Sequence, residues 1–134
     1  MTIKAEVVII GAGPCGLFQV FELGLLGIRA HVVDSLRQIG GQCAALYPEK
    51  PIYDIPALPV VGAQELIDRL AEQIEPFAAT FHLGEEVMEL DAREDGAFRL
   101  TTDKGSRFEA GAVVIAAGLG AFVPRPLQIG RAHV

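Results

Sequence analysis

Short apolar runs and longer periodic segments alternate along the chain. Residues 7–10 and 112–116 are continuous apolar runs, which are typical of parallel strands buried on both faces. Residues 28–33 form a third run that two polar residues interrupt, and residues 80–83 predict one further short strand. Because these runs alternate with helical segments, the pattern predicts a parallel sheet covered by helices.

Two segments carry apolar residues at helical spacing. The first covers residues 14–26 and has a broad apolar face: Leu17, Phe18, Phe21, Leu25 and Leu26. The second covers residues 63–75, is stopped by Pro76 and has a narrower stripe: Leu66, Ile67, Leu70 and Ile74. We interpret the second stripe as a core contact and not as a partner site.

A small antiparallel meander is predicted between the last helix and the final strand. Residues 87–92 and 98–102 alternate as strands do, and Asp95-Gly96 between them is a strong hairpin signal. Residues 103–105 predict a second turn, after which a third strand begins. One face of the first of these strands carries apolar side chains: Met88, Leu90 and Ala92.

The run at residues 7–10 leads directly into a G-x-G-x-x-G sequence formed by Gly11, Gly13 and Gly16. In such a unit the first glycine permits a tight turn, the second lets the backbone approach a pyrophosphate, and the third lets the helix approach the strand. Pro14 suits the first helical turn, whose positive end then faces the phosphates. The pattern predicts a dinucleotide site; the alternative is a glycine-rich turn that only packs a helix on a strand.

An acidic residue, Asp34, ends the second apolar strand about 20 residues after the glycine-rich loop. A carboxylate in this place can accept hydrogen bonds from both ribose hydroxyls. Its charge would repel a 2′-phosphate, so the site is predicted to take FAD or NAD and not NADP.

Composition narrows the function classes. The chain has 134 residues, a formal net charge of −6 and 51% hydrophobic residues. This length suits one domain with a sizeable core and is short for a complete dinucleotide enzyme. The acidic balance argues against a nucleic acid partner. With no apolar stretch of spanning length and no signal peptide before the first strand, we expect no membrane span and a cytoplasmic location.

The cysteines and histidines suggest no further chemistry. Cys15 and Cys43 form no C-x-x-C pair, so we expect neither a redox dithiol nor a metal site. Three histidines are scattered along the sequence and are expected to be structural or solvated: His31, His82 and His133.

Residues 35–59 form a long irregular segment that holds both tyrosines, Tyr47 and Tyr53, and several prolines. A loop of this length in a compact domain is usually functional. The alternative is an ordinary surface excursion whose tyrosines are half buried. Small residues also follow the last predicted strand, where Phe122 could face either a ligand or the core.

Within the irregular segment, residues 40–56 read GGQCAALYPEKPIYDIP. Together with residues 11–16 and 118–125, this sequence closely resembles the thioredoxin-reductase-like ferredoxin–NADP⁺ reductases of bacteria, and the resemblance covers residues 4–127. It implies an α/β fold: a Rossmann-like FAD-binding domain with a parallel sheet, helices and a small antiparallel β-meander as the crossover.

The resemblance also implies roles for single residues. Cys15 would lie in the phosphate loop, Asp34 would bind the adenosine ribose, and Val87 would flank the adenine. Gln42 and Tyr47 would contact the flavin side, with Tyr47 stacked on the ring system, and Phe122 would lie near the pyrophosphate or the flavin. The predicted cofactor-binding set is Gly11, Gly13, Pro14, Cys15, Gly16, Asp34, Gly41, Gln42, Tyr47, Val87, Gly118 and Phe122. No catalytic side chain is expected, because the flavin carries the chemistry.

The reaction implied by the resemblance moves a hydride between NADPH and FAD and then passes single electrons to or from ferredoxin or flavodoxin. Homodimers are usual in this family. Two alternatives stay open: a thioredoxin reductase or other two-dinucleotide flavoprotein, and a free-standing, non-enzymatic FAD- or NAD-binding module. An ordinary NAD dehydrogenase is disfavoured, because neither the proline-rich loop nor the meander is expected there.

The resemblance is to part of a longer protein. The sequence contains no second G-x-G-x-x-G and no closing Gly-Asp motif. We therefore expect residues 1–127 to be the N-terminal part of an incomplete FAD-binding domain, without the NADPH domain and the C-terminal FAD segment. Residues 128–134 are expected to be a non-native tail, because residues 129–134 match one reading frame of a sequencing adapter. Such a chain alone is expected to fold poorly and to be inactive.

Overall fold

One mixed sheet organises the molecule in the computed structural model, which describes residues 1–120. Its elements, in chain order, are β1 (Thr2–Ile10), α1 (Pro14–Leu25), β2 (Ala30–Asp34), α2 (Gln42–Ala45), β3 (Pro51–Ile52), β4 (Val61–Gly62), α3 (Ala63–Ile74), a 3₁₀ turn (Glu75–Phe77), β5 (Thr80–Leu83), β6 (Val87–Ala92), β7 (Phe98–Thr102) and β8 (Arg107–Ile115).

The strand order is β5-β2-β1-β8-β7-β6. The first four strands run parallel, whereas β7 and β6 continue the sheet antiparallel. The predicted α/β class, with a parallel sheet, helices and a meander crossover, is thereby confirmed.

Helices α1 and α3 cover one face of the parallel strands and form a core around Ile9, Val32 and Ile67. The predicted α3 stripe is confirmed, because Leu66, Ile67 and Ile74 are buried. The other face is covered by the meander.

The predicted face of α1 is partly wrong. Leu17 is buried as expected, but the helix also buries Val20, and Leu26 is 75% exposed. The rotation of the helix is set by its glycines: a Cβ at Gly16 would overlap the carbonyl of Gly11, and one at Gly24 would overlap the ring of Phe77. The close approaches at these two glycines decide which face turns inward.

Strand β8 is one continuous strand of nine residues, where the sequence pattern suggested two separate strands. Its first half pairs with both β1 and β7, for example through Phe108 opposite Ile3 and Leu100. Leu100 and Phe108 are fully buried against Val8 and Val33, and this second core lies on the face away from the helices.

Strand β6 lies at the edge of the sheet, and its predicted apolar face is largely exposed. Met88 is 61% exposed, and the register shifts between Val87 and Glu89. An edge strand has a neighbour on one side only, so alternation of side chains there does not imply burial.

The long segment between β2 and α3 is not wholly irregular. It contains α2 and a short ladder in which β3 pairs with β4. Two backbone bonds tie it to the start of α3: Ala63 N–H to the carbonyl of Lys50 at 2.9 Å, and Gln64 N–H to that of Pro48 at 2.9 Å. Tyr53 is 70% exposed. No helix within residues 1–120 is long and apolar enough to cross a membrane.

Candidate functional site

The loop between β1 and α1 contains two glycines that the fold itself requires. Gly11 has φ +111°, and a Cβ there would overlap the carbonyl oxygen of Ala116. At Gly16 a Cβ would overlap the carbonyl oxygen of Gly11. These two positions bring the start of α1 onto the carboxyl ends of β1 and β8, where open α/β sheets bind ligands.

Gly13 is different, because nothing in the fold demands a glycine there. Its backbone angles, φ −76° and ψ −174°, suit any residue. The nearest atom to a Cβ built on it is the Cα of Gly41 at 3.9 Å, which is ordinary contact. The space beside Gly13 is therefore empty because this residue has no side chain, and a Cβ would fit into it without a clash. We call this space the open cradle.

The N-terminus of α1 presents free donors to this space. Gly13 is the N-cap, Pro14 begins the helix, and neither a side-chain cap nor an acidic residue occupies the first turn. The first helical bond runs from Leu17 N–H to the carbonyl of Gly13 at 2.9 Å. The earlier amides, with the positive end of the helix dipole, are suited to an anion such as a pyrophosphate. Cys15 is exposed at this end.

Asp34 is bound to the same loop. Its Oδ2 accepts the N–H of Ala12 at 2.7 Å, and its Oδ1 accepts the N–H of Leu36 at 2.8 Å. A carboxylate offers about four acceptor positions, so two remain for the hydroxyls of a ribose. The carboxylate at the end of β2 is thus held within hydrogen-bond distance of the backbone of the glycine-rich loop.

The segment that begins with Gly40 closes the other side of the loop. The N–H of Gly40 donates to the carbonyl of Ala12 at 2.8 Å, and Gly41, with φ +56°, faces Gly13. The hydroxyl of Tyr47 donates to Oε1 of Gln42 at 3.2 Å. The structure therefore brings Gly41 and the Gln42–Tyr47 pair next to the loop. The ammonium of Lys50 lies over the Tyr47 ring, 5.1 Å from its centroid.

Two more predicted residues lie near the same edge of the sheet. Val87 begins β6 and packs against the core that contains Val8 and Val33. Gly118, with φ +56°, follows the backbone of Ala116, which closes against Gly11. Phe122 and residues 128–134 lie outside the described residues, so what was predicted for them stays a prediction.

Two of the histidines, which lie far apart in the sequence, lie together in the fold. His31 Nδ1 and His82 Nε2 lie 3.0 Å apart, and the two rings stack with centroids 5.3 Å apart. Burial, and secondarily the neighbouring His82, lower the pKa of His31. The pair forms because β2 and β5 are neighbouring parallel strands and the two histidines are offset by two positions in the register: His31 lies opposite Thr80, and His82 lies opposite Val33. Only strand adjacency, which local patterns do not encode, could have revealed it.

Neither cysteine forms a disulfide: Cys15 is exposed, and Cys43 is the buried residue of α2. Burial raises the pKa of the Cys43 thiol. Two open depressions of about 520 and 540 Å³ lie elsewhere, at the tip of the β6–β7 hairpin and between α3 and β5. The candidate residues line neither, because they form an open edge of the sheet and not a closed cavity.

The chain is similar to known proteins along nearly its whole length. A family model described as pyridine nucleotide-disulphide oxidoreductase matches residues 5–132. A protein named ferredoxin–NADP reductase 2 from Cupriavidus metallidurans is 58% identical over 95% of this chain and 35% of its own length. A ferredoxin–NADP reductase from Bradyrhizobium sp. strain ORS 278 is 63% identical over 92% of this chain and 36% of its own. The chain therefore spans about a third of these relatives.

Solved structures show the same fold. Cyclohexanone monooxygenase from Rhodococcus sp. Phi1 matches with a TM-score of 0.76 at 23% identity, over 95% of this chain and 28% of its own. Thioredoxin reductase from Streptococcus pyogenes matches with a TM-score of 0.74 at 20% identity, over 93% of this chain and 38% of its own. At such identities the likeness concerns the fold alone.

The strand–loop–helix, the acidic end of β2 and the parallel sheet define a dinucleotide-binding domain of the Rossmann type. The chain belongs to the pyridine nucleotide-disulphide oxidoreductase family. The resemblance expected from residues 40–56 is confirmed by relatives that carry the name ferredoxin–NADP reductase.

Proposed function

We propose that residues 1–127 are the N-terminal part of the FAD-binding domain of a ferredoxin–NADP⁺ reductase. The observation that carries this proposal is Gly13, a glycine that the fold does not need at the one place where a pyrophosphate would approach the backbone. Asp34 supports FAD over an NADP-type ligand in this site, because its carboxylate already lies beside the loop.

Different residues would bind different parts of the cofactor. Gly11, Gly13, Pro14, Cys15 and Gly16 would hold the pyrophosphate at the helix N-terminus. Asp34 would bind the adenosine ribose, and Val87 would flank the adenine. Gly41, Gln42 and Tyr47 would face the flavin, and Gly118 lies just after the end of β8. Phe122 is proposed to lie near the pyrophosphate or the flavin on the family resemblance alone. In this arrangement the hydrogen bond from Tyr47 to Gln42 would orient the tyrosine ring, over one face of which the ammonium of Lys50 lies.

When bound, a flavin supplies both hydride transfer and single-electron transfer. The protein residues bind and orient it and contribute no nucleophile. NADPH as hydride donor and ferredoxin as electron carrier are proposed from the relatives' names, with the NADPH site in the length that this chain does not span. Flavodoxin as an alternative carrier is proposed on the family resemblance alone. A homodimer is proposed on the family resemblance alone, and the cytoplasmic location stays a prediction from the sequence.

Calorimetric titration of the chain tests the cofactor assignment. FAD and ADP should bind, and adenosine 2′,5′-bisphosphate should bind more weakly than AMP, from which it differs only by the 2′-phosphate that meets the Asp34 carboxylate. Equal or tighter binding of the 2′-phosphorylated ligand would contradict the assignment.

A protein of the relatives' full length that carries this sequence tests the reaction. NADPH should bleach its flavin absorbance, and ferredoxin or flavodoxin should restore it. Reduction of a protein disulfide instead would favour a thioredoxin reductase, and FAD binding without NADPH oxidation would favour a free-standing binding module.

A further inference from the structure

Glu85 connects the meander to the acidic end of β2. Its Oε2 accepts the hydroxyl of Thr102 at 3.1 Å, and its Oε1 accepts the hydroxyl of Ser106 at 3.1 Å. Thr102 is only 6% exposed, and its Oγ1 also accepts the N–H groups of Lys104 and Ser106. The half-buried carboxylate thus binds both sides of the β7–β8 turn.

The backbone of the same residue supports the candidate ribose site. The N–H of Glu85 donates to the carbonyl of Asp34 at 3.0 Å, and the N–H of Gly84 donates to that of Leu36 at 2.8 Å. Asp34 is therefore held at three points: its two carboxylate oxygens bind backbone amides, and its own carbonyl binds Glu85.

The carboxylate of Glu85 has hydroxyl partners and forms no ion pair within residues 1–120. Glu86 and Asp103 lie next to Glu85 and are bonded to each other. The N–H of Asp103 donates to the carbonyl of Glu86 at 3.0 Å, and the N–H of Glu86 donates to Oδ1 of Asp103 at 2.9 Å. A negative charge here disfavours an anionic ligand by electrostatics alone. Any benefit of Glu85 to binding must therefore come from geometry.

We propose that Glu85 is a positioning residue for the adenosine half of the dinucleotide. By binding the β7–β8 turn through Thr102 and Ser106, it fixes the main chain that supports Asp34 and the start of β6. This inference rests on the proposed cofactor site.

The test uses Glu85→Ala, Glu85→Gln and Glu86→Ala, with calorimetric titration of ADP and of inorganic pyrophosphate. The Glu86 variant is the matched control, because it removes the same charge at the next residue. The Glu86 side chain is exposed and accepts no hydrogen bond within the described residues. Glu85→Ala should raise the Kd for ADP about tenfold, the equivalent of one hydrogen bond to a charged group. The Kd for pyrophosphate should be unchanged.

Glu85→Gln should stay within about threefold of the parent for ADP, because an amide can still bond to both hydroxyls. An electrostatic role predicts the reverse: both substitutions at Glu85 would tighten ADP binding alike. Ser106→Ala removes one of the two contacts and should weaken ADP binding by a smaller factor, which keeps the test decisive if Glu85→Ala does not fold.

Three results would overturn the inference while leaving the cofactor site intact: equal ADP binding by Glu85→Ala and Glu86→Ala, equal weakening of ADP and pyrophosphate, or no effect of Ser106→Ala together with tighter binding by Glu85→Gln. If the parent chain unfolds cooperatively in urea and yet binds neither FAD nor ADP, the proposed cofactor site itself fails, and the inference fails with it. If the chain alone does not fold, the same variants are compared by their Kd for FAD in a protein of the relatives' full length that carries this sequence, with the same ranking expected.

Discussion

Gly13→Ala should separate cofactor binding from folding. The backbone at Gly13 suits alanine, and the added methyl would lie 3.9 Å from the Cα of Gly41. Replacing glycine by alanine at a compatible site stabilises a protein by about 0.4–1 kcal/mol through the unfolded chain. Alanine is a somewhat poorer N-cap than glycine, and this offsets part of the gain. The free energy of unfolding should therefore change by less than about 1 kcal/mol.

Binding should respond much more strongly. The methyl would fill the space in which the pyrophosphate approaches the backbone, so at least one charge-assisted hydrogen bond would be lost. Such a bond is worth about 1.5–3 kcal/mol, which corresponds to roughly a 10- to 150-fold increase in Kd for FAD and ADP. Urea unfolding measures the free energy of unfolding, and calorimetric titration measures the Kd for FAD and ADP.

Two further glycines serve as controls. Gly62 is the N-cap of α3, with φ −68° and its nearest neighbour at 3.8 Å, so Gly62→Ala repeats the backbone change away from the site. Gly16→Ala should destabilise the fold by about 1–3 kcal/mol, because its Cβ overlaps the carbonyl of Gly11. If Gly13→Ala binds FAD as tightly as Gly62→Ala, or unfolds as easily as Gly16→Ala, the reasoning about the open cradle is wrong.

Three other predictions follow from single contacts. The lowered pKa of His31 means that the folded state favours the neutral ring, so its stabilising effect is present above pH about 6.5 and is lost as the pH falls through the lower folded-state pKa. Urea unfolding from pH about 7.5 to 5.5 should show this loss, and His31→Gln should reduce it; an unchanged pH profile would refute the prediction. Asp34→Asn should destabilise the fold by about 1–3 kcal/mol, since an amide oxygen can serve only one of the two N–H donors, and should remove the preference for AMP over adenosine 2′,5′-bisphosphate. Gly24→Ala should lower stability by about 1–3 kcal/mol through overlap with Phe77, whereas a neutral result in thermal unfolding would show that the ring can move aside.

Features encoded over a few neighbouring residues could be predicted from the sequence. The strand–glycine–helix unit depends on adjacent residues, and the α3 stripe depends on its own period, so both are confirmed by the structure. Asp34 is predicted to bind the ribose because its distance along the chain from Gly16 is typical of this unit.

Features that depend on distant partners were missed. The pairing of His31 with His82 requires knowing that β2 and β5 are neighbours. The link from Glu85 to Thr102 and Ser106 requires the fold of the meander. The exposure of Met88 follows from the edge position of its strand, which the alternation of residues does not report.

The pairing of β1 with β8 has a consequence for synthesis. Thr2 lies opposite Arg107, and Ile10 lies opposite Ile115. Strand β1, at the centre of the sheet, therefore cannot pair with β8 until more than a hundred further residues have been made. Until then, β2 is the only strand that can pair with it, and one row of its amides and carbonyls stays open. Pairings so distant in sequence close slowly. A nascent chain on the ribosome would therefore carry this apolar strand half paired until β8 has been made, which is the interval in which chaperone capture or aggregation would compete with folding.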